Sequence, residues 1–297
     1  MLSILVPGGH GQLGRELAER ASVVRAPGSA ELDITNAGAV IEAVSTLAES
    51  AAGDGHSPVV VNSAAYNAVD AAETDATRAY AVNADGPRLL AAACAAANVP
   101  LVHVSTDYVF PGDGDRPYET DDPVRPRSAY GTTKAAGEDA VLGSGARAWV
   151  VRTAWVYGAF GGNFVKTMAR LAATRDTVSV VDDQRGSPTW TGDLADGLLA
   201  LASSVASGDG PTSRILHCAG GGETTWFGFA QAVFEELGLD PARVHPCTTA
   251  EFPRPAPRPA YSVLSDRAWR EAGLPPMRPW REALATAFAE HGEHFRA

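Results

Sequence analysis

In the segment Tyr130-Gly-Thr-Thr-Lys134 a phenol and an ammonium stand four residues apart. On a helix that spacing brings both groups to one face, a turn apart. A tyrosine ionises near pH 10, so it trades a proton near neutrality only with help, and an adjacent cation that lowers its pKa supplies that help. The pair therefore suits a proton donor or acceptor with its electrostatic partner, although the same spacing also serves an ordinary exposed helix face. Earlier in the chain, Val104-Ser105-Thr106-Asp107-Tyr108 places hydroxyls and a carboxylate where an apolar run stops. At the carboxyl end of a strand these groups can face a reacting carbonyl; they can equally cap a turn.

A third group sits at the amino terminus. Residues 5–16 read LVPGGHGQLGRE, with Gly8, Gly9, Gly11 and Gly14 directly after the first candidate strand. Glycine weakens regular structure, so four of them together need a return. A strand-to-helix turn without side chains lets a pyrophosphate rest on free backbone N–H groups at the helix start. A tight turn and nothing more is the other reading of such a run.

The elements that would position these groups alternate. Residues 22–25, 58–62, 101–105 and 148–152 are short apolar runs read as strands, and residues 34–50, 69–98 and 128–142 are longer stretches read as helices. This is the pattern of βαβ units on a parallel sheet covered on both faces. Beyond about residue 153 the loops become rich in Gly, Trp and Pro, with helices expected at 164–174 and 193–204 and strands at 177–181 and 214–218. The run 251–264, EFPRPAPRPAYSVL, is too dense in proline for either element and is expected to be an extended surface or site-lining loop. The expected fold class is α/β, a Rossmann-type doubly wound parallel sheet with a smaller C-terminal substrate-binding cap. Residues 1–153 would form the dinucleotide-binding domain, with helical returns from later segments, and residues 154–297 mainly the cap.

Composition narrows the partners. The chain has 297 residues and a formal net charge of −11, which argues against nucleic acid or an anionic membrane as the main partner. Cys94, Cys218 and Cys247 are odd in number and far apart, so neither a disulfide framework nor a zinc site is expected, and a cytoplasmic setting fits best. No apolar stretch approaches membrane-spanning length, and the N-terminal run lacks the basic flank of a signal peptide.

The order of glycine turn, Ser-Thr-Asp at a strand end and Tyr-x-x-x-Lys resembles the extended short-chain dehydrogenase/reductase superfamily. Together with NSAAYNAVDAAE, STDYVFPGDGDRPY, YGTTKAAGE, RTAWVYG, NFVKTM, DDQRGSPT and RPAYSVL, it closely resembles the dTDP-4-dehydrorhamnose reductase family, from Met1 to about Leu264. The resemblance implies an NAD(P)H-dependent reductase acting on the C4 ketone of a dTDP-4-keto-6-deoxysugar, dTDP-4-dehydro-β-L-rhamnose or a related sugar of secondary metabolism. Gly8, Gly11, Gln12, Leu13 and Gly14 would hold the pyrophosphate of the cofactor, Asp33 and Ile34 would lie around the adenine, and Ala64, Ala65 and Tyr66 would line the cofactor after the third strand. The family often has His-Thr where this chain has Tyr66-Asn67.

Tyr130 would be the general acid. Lys134 would hold the nicotinamide ribose and lower the Tyr130 pKa, Thr106 would hydrogen-bond the ketone, and Asp107 and Trp155 would contact the sugar. Some members use magnesium at a dimer contact; Glu16 matches one of the expected positions, but Gly192 falls where another carboxylate would be needed, so no metal is expected. Related dehydratases carry Thr-Asp-Glu at the strand end, and Tyr108 in place of that Glu favours simple reduction over elimination. A non-catalytic NADP-binding subunit is the reading from another class, and retention of Thr106, Tyr130 and Lys134 together opposes it. Two arginines complete the expectations. Arg258, in the proline loop, would bind the diphosphate of the sugar nucleotide, or else face solvent. Arg25 stands at the end of the second strand, where NAD-selective folds commonly place an acid; it would read the 2′-phosphate of NADPH while NADH is still accepted, unless Asp33 faces the ribose instead. The assembly would be a monomer or a homodimer.

Overall fold

The computed structural model describes residues 1–22 and 24–295. Five apolar runs form parallel strands, β1 (Leu2–Leu5), β2 (Val24–Arg25), β3 (Ser57–Asn62), β4 (Leu101–Thr106) and β5 (Ala148–Thr153). Between them lie α1 (Gln12–Arg20), α2 (Ala37–Asp54), α3 (Val69–Ala72), α4 (Ala76–Tyr80), α5 (Gly86–Ala97) and α6 (Ala129–Leu142). The later segments contribute β6 (Val156–Tyr157), α7 (Phe164–Thr174), β7 (Val178–Val181), β8 (Arg185–Gly186), β9 (Thr189–Trp190), α8 (Thr191–Ser207), β10 (Ile215–His217), β11 (Thr224–Thr225), α9 (Trp226–Glu236), β12 (Val244–Cys247), α10 (Arg267–Glu271) and α11 (Trp280–Phe295). The main sheet runs β10-β5-β4-β3-β1-β2. Strand order reverses between β1 and β3, and the crevice above such a reversal is where open α/β sheets bind ligands.

Both sheet faces are buried because consecutive strand residues point to opposite sides. Ile4, Val59, Val61, Val102 and Val151 meet Leu17 of α1 and Leu194, Leu198 and Leu201 of α8 on one face. Leu5, Val60, Leu101 and Val150 meet Val40 and Val44 of α2, Leu90 of α5 and Val141 of α6 on the other. Each such side chain contributes roughly 1.5–3 kcal/mol by leaving water. A third cluster, around Tyr157, Trp190, Phe229, Phe234, Leu284 and Phe288, forms the core of the cap. No helix among the described residues is long and apolar enough to cross a membrane.

Three expectations change. The strand 22–25 shortens to β2 (Val24–Arg25), with Val23 outside the described residues. The helix 34–50 becomes α2, which starts at Ala37 because Asn36 caps it, accepting from the Ala39 N–H at 3.2 Å, while Asp33 and Thr35 close a turn before it. The alanine-rich run 69–98 is not one helix: α3 and α4 are followed by a π-turn over Ala81–Asp85 before α5 begins. Within that turn the Asn83 side chain leaves the helix to accept from the Tyr66 N–H at 2.8 Å and to donate to the Thr133 hydroxyl at 3.1 Å.

Segments beyond residue 153 return to the sheet as a strand as well as helices: β10 pairs in parallel with β5, and α8 and Trp269 of α10 cover one sheet face. The proline run 251–264 holds no helix or extended strand. It is laced instead by backbone bonds, with Tyr118 N donating to Val263 O at 2.8 Å and Ser262 N to Arg185 O at 2.8 Å.

Candidate active site

The crevice above the β1–β3 reversal holds a cleft of about 380 Å³. Gly11, Gln12, Leu13 and Gly14 line one end of it. The backbone there leaves no room for side chains: a Cβ on Gly8, whose φ is +82°, would lie 2.7 Å from the Ala64 Cα, and one on Gly14 would lie 2.3 Å from the Gly8 carbonyl oxygen. Gly8 and Ala64 thus pack against each other beneath the cleft, and Ala65 reaches its wall. Helix α1 starts at Gly11 without a side-chain cap and with no acid in its first turn. Its first N–H groups are left for an anion, and a negative charge there also opposes the helix dipole favourably. The turn therefore fits a pyrophosphate. Gln12 ties it to the cap by accepting from Asn163 Nδ2 at 3.0 Å.

The remaining residues expected at the cofactor lie outside this cleft. Arg25 ends β2 exposed, with no ion-pair partner among the described residues. Asp33 is exposed and turns back on its own loop, accepting from the Thr35 N–H at 2.9 Å and hydroxyl at 2.8 Å. Ile34 is buried against Gly86, where a Cβ would meet its Cδ1 at 2.6 Å. Tyr66 packs beside Ala72, Ala79 and Tyr130, and its hydroxyl donates to Asp75 at 3.3 Å, so its ring does not line the cleft.

At the other end the reacting groups converge. Helix α6 is capped by Ser128, whose Oγ accepts from the Gly131 N–H at 3.1 Å, and this start aims Tyr130 and Lys134 at the end of β4. Tyr130 is buried beside Thr106, with the Tyr108 ring edge-on at 5.5 Å. Lys134 is almost fully buried and donates from Nζ to the Val104 carbonyl at 2.8 Å. Thr106 donates to Asp107 Oδ1 at 2.9 Å, and Asp107 Oδ2 is buried without a hydrogen-bond partner.

Burial dominates the ionisation of these groups. It pushes the Asp107 carboxyl up to about 6, with the Ser262 and Thr106 hydroxyls and backbone N–H groups holding it from rising further. It pushes the Lys134 ammonium down to about 8, with Glu138 acting to keep it charged. The Tyr130 phenol is raised above its ordinary value by burial, the Thr106 hydroxyl opposing and Asp107 adding to the rise. The rise runs against the expectation that Lys134 lowers the Tyr130 pKa: Lys134 is engaged by the Val104 carbonyl, and loss of water dominates at the phenol. The outcome is a phenol protonated at every working pH, the form that gives a proton rather than takes one.

Trp155 stands on the opposite wall with φ of +49°, a backbone conformation unusual for a bulky residue. Its indole stacks on Trp226 with centroids 3.6 Å apart and planes 7° from parallel, and Gly186 closes on its edge. Trp226, Ser63, Asn67, Val69 and Thr153 also line the cleft, and sequence reasoning missed them. For Trp226 the signal was present, because Thr225 is a helix cap that places the next residue at the mouth of α9.

Arg258 lies outside the main cleft, beside a small cavity next to Tyr108. Its Nη2 donates to Asp70 at 2.8 Å and its Nη1 to the Ala256 carbonyl at 3.2 Å, while Arg254 Nε also reaches Asp70, at 3.0 Å. Glu16 is likewise engaged: it accepts from Arg20 at 2.8 Å and from the Thr191 hydroxyl at 3.1 Å. A side chain at Gly192 would meet the Trp190 ring at 2.5 Å.

A glycine cradle at the switch point of a parallel sheet, facing a buried tyrosine and lysine across one cleft, defines a Rossmann-type oxidoreductase of the short-chain dehydrogenase/reductase class. A family model described as the RmlD substrate binding domain matches residues 2–292. A dTDP-4-dehydrorhamnose reductase of Streptomyces griseus is 51% identical over 293 residues, 96% of this chain and 92% of the relative. A Streptomyces antibioticus protein named a probable dTDP-4,6-dihydroxy-2-methyloxan-3-one 4-ketoreductase is 50% identical over 292 residues, 96% of this chain and 94% of the relative. The crystal structure of dTDP-4-dehydrorhamnose reductase from Bacillus anthracis str. Ames in complex with NADP superposes with a TM-score of 0.89 at 34% identity, covering 97% of this chain and 99% of that one. The chain belongs to the dTDP-4-dehydrorhamnose reductase family.

Proposed function

We propose that this chain reduces the C4 ketone of a dTDP-4-keto-6-deoxysugar with NADPH, dTDP-4-dehydro-β-L-rhamnose becoming dTDP-L-rhamnose. The observation that carries this reading is the meeting of Tyr130, Lys134 and Thr106 at one end of a cleft whose other end is the glycine turn. When bound, NADPH supplies the hydride; the chain supplies position and the proton. The turn from Gly8 to Gly14 holds the pyrophosphate on the α1 N–H groups, with Ala64 and Ala65 beside it. Lys134 holds the nicotinamide ribose. Tyr130 keeps its proton at the phenol oxygen until the C4 oxygen gains negative charge, and Thr106, oriented by Asp107, keeps that oxygen in reach. Trp155 and Trp226 form the apolar wall for the sugar ring. The free thiols Cys94, Cys218 and Cys247 fit a cytoplasmic enzyme, working as a monomer or homodimer.

Consumption of NADPH by the purified chain in the presence of dTDP-4-dehydro-β-L-rhamnose tests the reading, and an unchanged NADPH absorbance would reject it. A second reading, reduction of a related dTDP-4-keto sugar, is supported by the likeness to the Streptomyces antibioticus ketoreductase. Turnover across several 4-keto sugars, with product stereochemistry read by NMR, separates the two.

Two arginines carry further expectations. Arg25 is exposed at the end of β2, and its guanidinium is open to the 2′-phosphate of NADPH. Arg25→Asp is expected to move the NADPH-to-NADH ratio of kcat/KM toward NADH by about tenfold, about 1.4 kcal/mol. A ratio that stays put assigns the phosphate to another group. Arg258 would contact the diphosphate only by sharing or leaving Asp70. Arg258→Ala is expected to raise the KM for the sugar nucleotide by roughly tenfold while leaving that for NADPH within about twofold, the loss of one charge-assisted bond. Equal effects on both would mean that Arg258 only holds its loop to α3.

A further inference from the structure

Beneath the reacting groups lies a charged cluster that the reduction as described does not use. Glu138 follows Lys134 by one helical turn on α6, as Lys134 follows Tyr130. Its carboxylate is 3% exposed and accepts three kinds of contact: the Ser105 hydroxyl at 2.5 Å, Arg152 Nε at 3.0 Å and Arg152 Nη2 at 2.7 Å. Ser105 on β4 and Arg152 on β5 are register partners, so one carboxylate staples two neighbouring strands to the helix. Arg152 is itself held by the Thr120 carbonyl at 3.3 Å and lies over the Phe110 ring at 4.8 Å. Removing such an ion pair from water seldom adds net stability, so its place directly under a reacting site points to positioning.

We propose that Glu138 is a positioning residue for the reduction: clamped by Arg152, it holds Ser105, and so fixes the Val104 carbonyl that Lys134 grips and the Thr106–Asp107 pair that faces the ketone. Ser105 sits between these two contacts in the chain, so its anchorage sets both. The same carboxylate is the charge that acts to keep Lys134 protonated against burial. Of the other ionisable groups nearby, Tyr130 and Asp107 line the same cleft as Lys134, His103 on β4 feels its charge, and Arg152 on β5 pairs with Glu138. Burial holds the His103 imidazole neutral, well below its ordinary pKa.

The inference rests on the reductase reading, but its test does not depend on turnover alone. Lys134 and Lys166 are the only lysines in the chain, so protein labelled with isotopic lysine shows two side-chain signals, and Lys166→Arg assigns them. In Glu138→Gln the Lys134 signal is expected to titrate about one pH unit lower than in the wild type, because the opposite charge is gone and Arg152 is left unpaired. With the 4-keto sugar, kcat should fall about tenfold or more while the KM for the sugar stays within about threefold. Both readouts must move. A Lys134 midpoint that stays in place overturns the proposal whatever happens to kcat, because Glu138 would then neither support the ammonium's charge nor fix the carbonyl that it grips; an unchanged kcat overturns it as well. Should Glu138→Gln fail to fold, Ser105→Ala removes one hydroxyl without stranding a charge. It is expected to shift the Lys134 signal and lower kcat in the same direction, and a variant indistinguishable from the wild type in either readout refutes the role. If the wild-type chain reduces no 4-keto sugar, the reductase reading fails by itself and the lysine titration decides the placement of Glu138.

Discussion

Tyr130→Phe should lower kcat for the 4-keto sugar by about 10² to 10⁴ and leave the affinity for NADPH within about twofold. In barrier terms this is about 3 to 5.5 kcal/mol. The substitution deletes one oxygen from a buried ring and retains the edge-on contact with Tyr108, so the pocket keeps its shape. Because burial raises the phenol above its ordinary pKa, the wild-type residue remains protonated through the working range, and no acidic or alkaline limb of the rate should be traceable to it. Single-turnover measurements with NADPH already bound isolate this step from release of product. A variant turning over at the wild-type rate would place the proton donor elsewhere in the cleft.

Lys134→Met should weaken both turnover and cofactor binding, since it removes a contact to the ribose as well as a buried charge. A loss of about 10² in kcat/KM, with NADPH affinity reduced by about tenfold, matches removal of one charge-assisted hydrogen bond and its neighbour's electrostatic support. The ammonium is pushed down to about 8, so it is charged below that pH and loses its proton as pH rises past it. For the wild type, kcat/KM, which reports ionisations of the free enzyme, should therefore decline above about pH 8. In the methionine variant that alkaline limb should vanish. Its persistence would assign it to another group.

Much of the fold was legible because the strands announce themselves. Runs such as Val59-Val60-Val61 are short, β-branched and apolar at every position, as a strand covered on both faces requires. The glycine turn was equally plain, because close approach of the chain to Ala64 and to its own first turn excludes side chains. What failed to show were features decided by distant partners. In the alanine-rich stretch after Val69, Gly86-Pro87 marks locally where α5 begins, but nothing local marks the π-turn before it, which Asn83 stabilises by reaching back to Tyr66. Arg258 reads as a free cation in a proline loop until the chain folds and brings Asp70 against it.

The site divides in the same way. Tyr130 and Lys134 follow from helical spacing, and Thr106 and Asp107 from the end of a strand, so local geometry was enough to bring them together. The direction expected for the Tyr130 pKa differs because spacing counts charges and does not count lost water. Resemblance placed Ile34 and the Tyr66 ring on the cofactor side; what it could not show is that Ile34 packs against Gly86 and that the Tyr66 hydroxyl bonds Asp75. For Trp226 the Thr225 cap marks the start of a helix, but which wall that helix faces is decided by its stack with Trp155, which the chain brings from far away.

The return of β10 to the edge of the main sheet bears on how this enzyme can be re-engineered. A chimera that replaces residues 154–297 as one block would carry away the strand that covers β5 and the helices α8 and α10 that seal one sheet face. The recipient half would then be closed by a foreign strand and foreign helices whose side chains do not match its own core, and imperfect packing there exposes an edge and an apolar face, the usual prelude to aggregation. Grafts that exchange the segments 156–190, 219–264 and 280–295 together would move the cap core as a unit and leave β10 and α8 with their native sheet. Transfer of sugar preference between relatives should therefore succeed by interleaved exchange where contiguous exchange yields insoluble protein.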